Sequence, residues 1–149
     1  MPHFTLTISA TGPVVDAAII VSESRRKILE EDKSPLPPPQ MIRALIDTGA
    51  SHTCVDPVVL VALGLTATGK TDVVTPTTGV KAVPCDTYDV GFAILAGKPG
   101  ESHLVFPTWK VSSMELFEAQ GIHALIGRDI LSRCILNYNG SQNIFTIAY

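Results

Sequence analysis

Long apolar runs are missing from this chain. None approaches the roughly 18 to 20 residues that a membrane-spanning helix needs, so its positive mean hydropathy is read as core to be buried and not as membrane. Cysteine is scarce: Cys54, Cys85 and Cys134 are odd in number and widely spaced, which gives neither a disulfide framework nor a zinc pattern, and buried free thiols are expected. Charge is scarce too, at 17% of residues with a net charge of −3, and the only basic cluster is Arg25-Arg26-Lys27. That excludes nucleic acid as the main partner. The opening residues Met1-Pro2-His3-Phe4 lack the basic segment and apolar core of a secretory signal, so a cytoplasmic location is expected.

What is present is a folding composition, with 46% hydrophobic residues over 149 positions. That suits one ordinary domain and leaves no room for two similar lobes. Part of the apolar surface is expected to close against a second copy, as in obligate homodimers.

Hydrophobic patterning is mostly of the strand type. Phe4 to Ser9 alternates with period two, Ala10-Thr11-Gly12-Pro13 turns the chain, and Val14 to Ser22 follows, so these two runs are expected to form a hairpin. Glu23 to Gln40 breaks the pattern with charged residues and then Pro35-Leu36-Pro37-Pro38-Pro39, which cannot join a sheet interior. It is expected to be a stiff, mobile surface connection; Pro35-Leu36-Pro37-Pro38 also fits a P-x-x-P polyproline ligand.

Met41 to Ile46 resumes the sheet and ends at Asp47, where Gly49 permits a tight turn. Asp56-Pro57 reads as a helix cap followed by proline at the first helical position, with a short helix over Val58 to Leu63 stopped by Gly64. Thr71 to Thr75 and Val80 to Cys85 flank Pro76-Thr77-Thr78-Gly79 as a hairpin. Tyr88 to Ala96 and Ser102 to Phe106 form another around Gly97-Lys98-Pro99-Gly100, and Met114 to Glu118 reads as a short helical turn. Trp109 is read as a core residue. Gly127 to Cys134 is the second helix, and Ile135 to Tyr138 with Asn143 to Ala148 makes the last hairpin.

The stretch Leu45-Ile46-Asp47-Thr48-Gly49-Ala50-Ser51 resembles the active-site motif of aspartic proteases. A second run, Ala124-Leu125-Ile126-Gly127-Arg128-Asp129, repeats the Ala44-Leu45-Ile46 lead-in and has Gly127 where the first has Asp47. This layout resembles retropepsins, in which two identical chains complete one active site. The resemblance runs from about Phe4 to the C-terminus. It implies a mainly β, closed acid-protease half-barrel with two short helices, completed by homodimerisation, and an endopeptidase acting on polypeptides without metal or organic cofactor.

On this resemblance Asp47, Thr48 and Gly49 are the catalytic residues, with Thr48 bonding across the dimer, while Ala50, Thr77, Thr78 and Gly79 face substrate, the last three as a flap. Phe4 to Ser9 would help build the dimer interface, with the final strand in the same sheet. Arg128 would tie its helix to the active-site loop, where Ser51 stands in place of the usual aspartate. Asp129 is sent into the helix and is not a second catalytic acid. Ala50 offers no hydroxyl to an ionised carboxylate pair, so an activity optimum at about pH 5 to 7 is expected.

Two other readings compete. Asp47-x-Gly49-x-Ser51 also fits the phosphate loop of actin-like ATPases and sugar kinases, but the chain lacks a second lobe and a second Asp-Gly loop. The other is a retropepsin fold that dimerises and holds peptides but cuts nothing, or needs a larger partner. His52 near Asp47 lacks a well-placed nucleophile and is not assigned to catalysis.

Overall fold

The computed structural model describes residues 1–74, 79–98, 100–116 and 118–149. Its strands are β1 (His3–Thr7), β2 (Val14–Val21), β3 (Gln40–Ile46), β4 (Cys54–Val55), β5 (Gly69–Val73), β6 (Val83–Ile94), β7 (Leu104–Ser113), β8 (Ala124–Ile126), β9 (Ile135–Asn139) and β10 (Ile144–Ala148). The helices are α1 (Glu23–Glu31), α2 (Pro57–Ala62) and α3 (Arg128–Leu131).

Strands pair in the order β2-β3-β8-β4-β7-β6, and β6 pairs back onto β2, so six strands close into a barrel with β5 added outside β6. Closure follows from period two: Val15, Ala17, Ile19 and Val21 of β2 are buried while Asp16 is exposed. Phe92, Ile94, Ile126 and Ile130 fill the interior with them. A separate three-stranded sheet, β1-β10-β9, packs Phe4, Phe145 and Ile147 against the same core.

β3 and β8 are parallel neighbours in the register Ala44↔Ala124, Leu45↔Leu125 and Ile46↔Ile126. The two copies of Ala-Leu-Ile therefore lie side by side and deliver Asp47 and Gly127 to the same end of the barrel. Ala44 and Ala124, which face each other across this pair, are both fully buried.

Several expectations hold. Asp56 Oδ1 accepts the Val58 N–H at 3.0 Å with Pro57 opening α2, and Gly64 at φ +63° follows its end. β5 and β6 form a hairpin, as do β6 and β7, and β9 and β10.

Others are corrected. β1 and β2 are not a hairpin: beyond a single bridge between Ser9 and Gly12, β1 pairs with β10 and β2 pairs with β3 and β6. Alternation fixes which face of a strand is buried and leaves its partner open. The segment from Glu23 is a helix as far as Glu31, making three helices among the described residues and not two. Ser22 Oγ caps it by accepting from Arg25 N, and Lys27–Glu23 and Arg26–Glu30 pairs at 3.1 and 3.9 Å brace one face. None of its residues is buried, so no apolar periodicity marks it. Pro35 to Pro39 continues without regular structure, as expected.

The runs Val80 to Cys85 and Tyr88 to Ala96 belong largely to one strand, β6, with a bulge between Val90 and Phe92. Met114 to Leu116 is not helical, because its backbone is taken up elsewhere: Met114 N donates to the Val55 carbonyl and Leu116 N to Asp56 Oδ2. A 3-10 turn lies instead at Glu118–Gln120.

Candidate active site

Asp47 begins where β3 ends, and its N–H still donates to the Ile126 carbonyl at 3.0 Å, which continues the β3–β8 ladder to the carboxylate. The turn then folds back on the side chain. Gly49 N donates to Asp47 Oδ1 at 2.9 Å and Ala50 N donates to the Asp47 carbonyl at 3.2 Å. A Cβ at Gly49 would lie 3.1 Å from Oδ1, so glycine keeps that oxygen uncrowded. Asp47 and Ala50 are half-buried, and Thr48 and Gly49 are exposed. The result is one carboxylate aimed by its own turn and open on one side.

α3 holds this turn from behind. Arg128 N donates to the Ala50 carbonyl at 2.9 Å, and the guanidinium donates to the Thr48 carbonyl at 3.1 Å and to Ser51 Oγ at 2.9 Å. The expected tie between Arg128 and the loop is therefore present, with a hydroxyl accepting where a carboxylate was usual. Gly127 sits against the backbone of His52, and a Cβ there would fall 2.6 Å from the His52 carbonyl carbon. The second copy of the lead-in thus has no space for a side chain at the position matching Asp47.

Thr53, fully buried, joins the two halves. Its Oγ1 accepts from Gly127 N at 3.2 Å and donates to Asp129 Oδ1 at 2.8 Å, and Asp129 Oδ2 accepts from Trp109 Nε1 at 3.0 Å. Both oxygens of Asp129 are engaged in holding structure. Trp109 is half-buried against Phe106, with the Arg133 guanidinium 5.1 Å from its ring centroid. It also walls a cleft of about 330 Å³ that runs from His52 and Asp129 to Thr71 at the base of the β5–β6 hairpin. Sequence reasoning missed Thr53 and the Trp109 contact. No local signal links residues that far apart.

The described part of the hairpin tip includes Gly79, exposed at φ +62°, whereas Thr77 and Thr78 lie outside the described residues. Cys54 is buried beside the turn, and burial foremost, then the nearby Cys85, Asp129 and Asp47, pushes its thiol up to about 11. A thiol so protonated is a poor nucleophile. Among the described residues no group of three or more His, Cys, Asp or Glu side chains is placed to hold a metal ion, and no helix is long and apolar enough to cross a membrane.

The barrel, the parallel β3–β8 pair and the Asp-Thr-Gly turn at its end define a mainly β acid-protease half-barrel of retropepsin-like fold. Among solved structures, the chain is similar to a retropepsin-like aspartic protease from Rickettsia conorii, at 14% identity and a TM-score of 0.57, over 99% of this chain and 90% of that one. That likeness is one of fold. No protein-family model matches the sequence, and no curated protein sequence does.

Proposed function

We propose that this chain is an aspartic endopeptidase whose active site is shared by two copies, each supplying Asp47. The observation that carries the reading is the aimed and half-open carboxylate of Asp47 beside a Gly127 that has no room for a second acid. Hydrolysing a peptide bond takes a base to activate water and an acid to protonate the leaving nitrogen. Two carboxylates brought to about 3 Å share one proton and divide those tasks, as the aspartic proteases do. Their apparent pKa values belong to the pair.

In this reading a twofold axis runs between the two Asp47 turns. Thr48 bonds across the axis, Gly49 presents its backbone to the substrate polypeptide, and Ala50 lines the floor. Thr77, Thr78 and Gly79 of the β5–β6 tip cover the bound peptide. The fold of the Rickettsia protein, a retropepsin-like aspartic protease by its description, supports the reading.

The test is cleavage of a mixed peptide library by the wild-type chain and Asp47→Asn, from about pH 3 to 8. Wild-type cleavage is expected, lowered by about 10²- to 10⁴-fold or more in the variant. Equal cleavage by both proteins would defeat the proposal. Peptide binding by a chain that cuts nothing would favour a non-cleaving peptide-binding module.

A further inference from the structure

A second cleft, of about 750 Å³, opens on the outside of the barrel, and the proposed reaction makes no use of it. Its walls come from the β2–β3 pair through Asp16, Met41 and Arg43, from the connection between β6 and β7, and from the approach to β8 at His123. The Leu95 N–H donates to the Asp16 carbonyl at 2.9 Å and the His123 N–H to the Arg43 carbonyl at 3.0 Å, so backbone hydrogen bonds hold the three walls together.

Alternation along β3 joins this cleft to the active turn. Ile42, Ala44 and Ile46 are buried in the barrel, which puts Met41, Arg43 and Leu45 on its outer face, on the strand that ends at Asp47. Ile122, Ala124 and Ile126 are buried in the same way, and His123 and Leu125 alternate with them beside Arg43 and Leu45. From Arg43 to Asp47 the strand rises about 13 Å, a distance that an extended peptide lying along this face covers with about four of its own residues.

The polar groups of the cleft are mostly donors. Arg43 and Asp16 stand directly opposite each other in the β2–β3 register, yet neither makes an ion pair among the described residues, and neither does Lys98. The Ala96 N–H donates to His103 Nδ1 at 3.1 Å, which leaves the ring hydrogen on Nε2 as a further donor. His123 Nδ1 is buried without a partner among the described residues, so the polar set of this wall is not closed within the chain. Two cationic side chains therefore face one carboxylate, beside the apolar surface of exposed Met41 and half-buried Leu95.

We propose that this cleft is a distal specificity pocket for an acidic side chain of the substrate, Asp or Glu, about four residues from the scissile bond. Arg43 and Lys98 bind the carboxylate, His103 Nε2 adds a hydrogen bond, and Met41 and Leu95 cover the methylene carbons. The inference rests on the endopeptidase reading above and names the substrate class that reading leaves open. Each of two copies carries the pocket, so the preference falls on both sides of the scissile bond. Asp16 repels the bound carboxylate and holds the preference below what Arg43 and Lys98 alone would give.

Cleavage-site profiling of a C-terminally amidated peptide library tests the pocket, because only side-chain carboxylates then count. Capture of the same library on the Asp47→Asn protein reads binding alone. The wild type is expected to favour Asp and Glu over Asn and Gln by about five- to tenfold at about three to five residues from the scissile bond. Arg43→Gln combined with Lys98→Gln should abolish that preference, and Asp16→Asn should raise it. Arg25→Gln, which removes a positive charge from α1 outside the cleft, should leave the preference as in wild type. All four side chains are exposed, so melting temperatures near wild type will show that each variant folds. No acidic enrichment among cleaved or captured peptides, or enrichment that survives the double variant, would overturn the pocket. Arg43-dependent capture of acidic peptides without cleavage by the wild type keeps the pocket and removes the protease reading. Asp47-dependent cleavage with no acidic preference does the reverse.

Discussion

Gly127 and His52 approach so closely that the α-carbon of Gly127 has no room for a substituent, since a Cβ would sit 2.6 Å from the His52 carbonyl carbon and 2.7 Å from its oxygen. The neighbour is backbone and cannot swing away. Gly127→Ala should cost about 1–3 kcal/mol through forced displacement, and lower the melting temperature by about 2–4 °C for each kcal/mol. Gly127→Asp, which writes a second acid into the sequence at the position matching Asp47, should be less stable still and should not yield an active monomer. Thermal melts and cleavage assays at low protein concentration decide this. A stable, monomeric and active Gly127→Asp protein would contradict it.

Thr53 serves two partners with one hydroxyl, accepting from Gly127 N and donating to Asp129. Thr53→Val keeps the shape and leaves the buried Gly127 N–H without an acceptor. A loss of about 1–3 kcal/mol in urea unfolding is expected, whereas Thr53→Ser should recover most of it. A loss for Ser with none for Val would mean that the methyl group, and not the hydroxyl, carries the stability.

Arg128 reaches two acceptors on the Asp47 turn with its planar fork. Lysine keeps the charge and loses that geometry. Because the side chain is exposed, Arg128→Lys should change stability by less than about 1 kcal/mol. Peptide cleavage should fall by about tenfold or more, since a loosened turn misplaces the carboxylate. Parallel melts and kinetics separate the two effects.

Cys54 links stability to alkaline pH. Its thiol is raised from an ordinary 9.0 to about 11, so the folded chain holds this proton more tightly than the unfolded chain. The resulting stabilisation is complete below about pH 9 and is lost as pH climbs through about 11. Burial also raises Cys134 and Tyr149, so they contribute in the same sense. Urea midpoints of wild type and Cys54→Ala between pH 8 and 11 isolate the Cys54 share. The wild type should show the steeper alkaline decline, and parallel declines would show that Cys54 contributes nothing.

Much of the frame was legible in the residues. The Asp56-Pro57 cap, the Gly64 stop and the β9–β10 hairpin rest on contacts between near neighbours, and local turn and cap chemistry is written in adjacent letters. The repeated Ala-Leu-Ile was visible, as was the replacement of Asp47 by Gly127. α1 was not legible, since a helix that buries no residue has no apolar stripe to read. The β1–β2 hairpin was misread because two alternating strands beside a Gly-Pro turn look paired whether or not they are. The Thr53, Asp129 and Trp109 network spans three separated segments, and nothing in any one of them announces the other two.

By itself, then, the sequence determined the alternation that buries one face of each strand, the glycine that lets the chain turn at Asp47, and the presence of one Asp-Thr-Gly motif. These follow from side-chain volume, polarity and backbone freedom within a few residues. Only the tertiary structure decided that Ala44-Leu45-Ile46 lies in register against Ala124-Leu125-Ile126, that the His52 backbone fills the space beside Gly127, and that β1 pairs with β10 and not with β2. Strand partnership is settled by how all the buried faces close around one core at once, and that condition has no local signature.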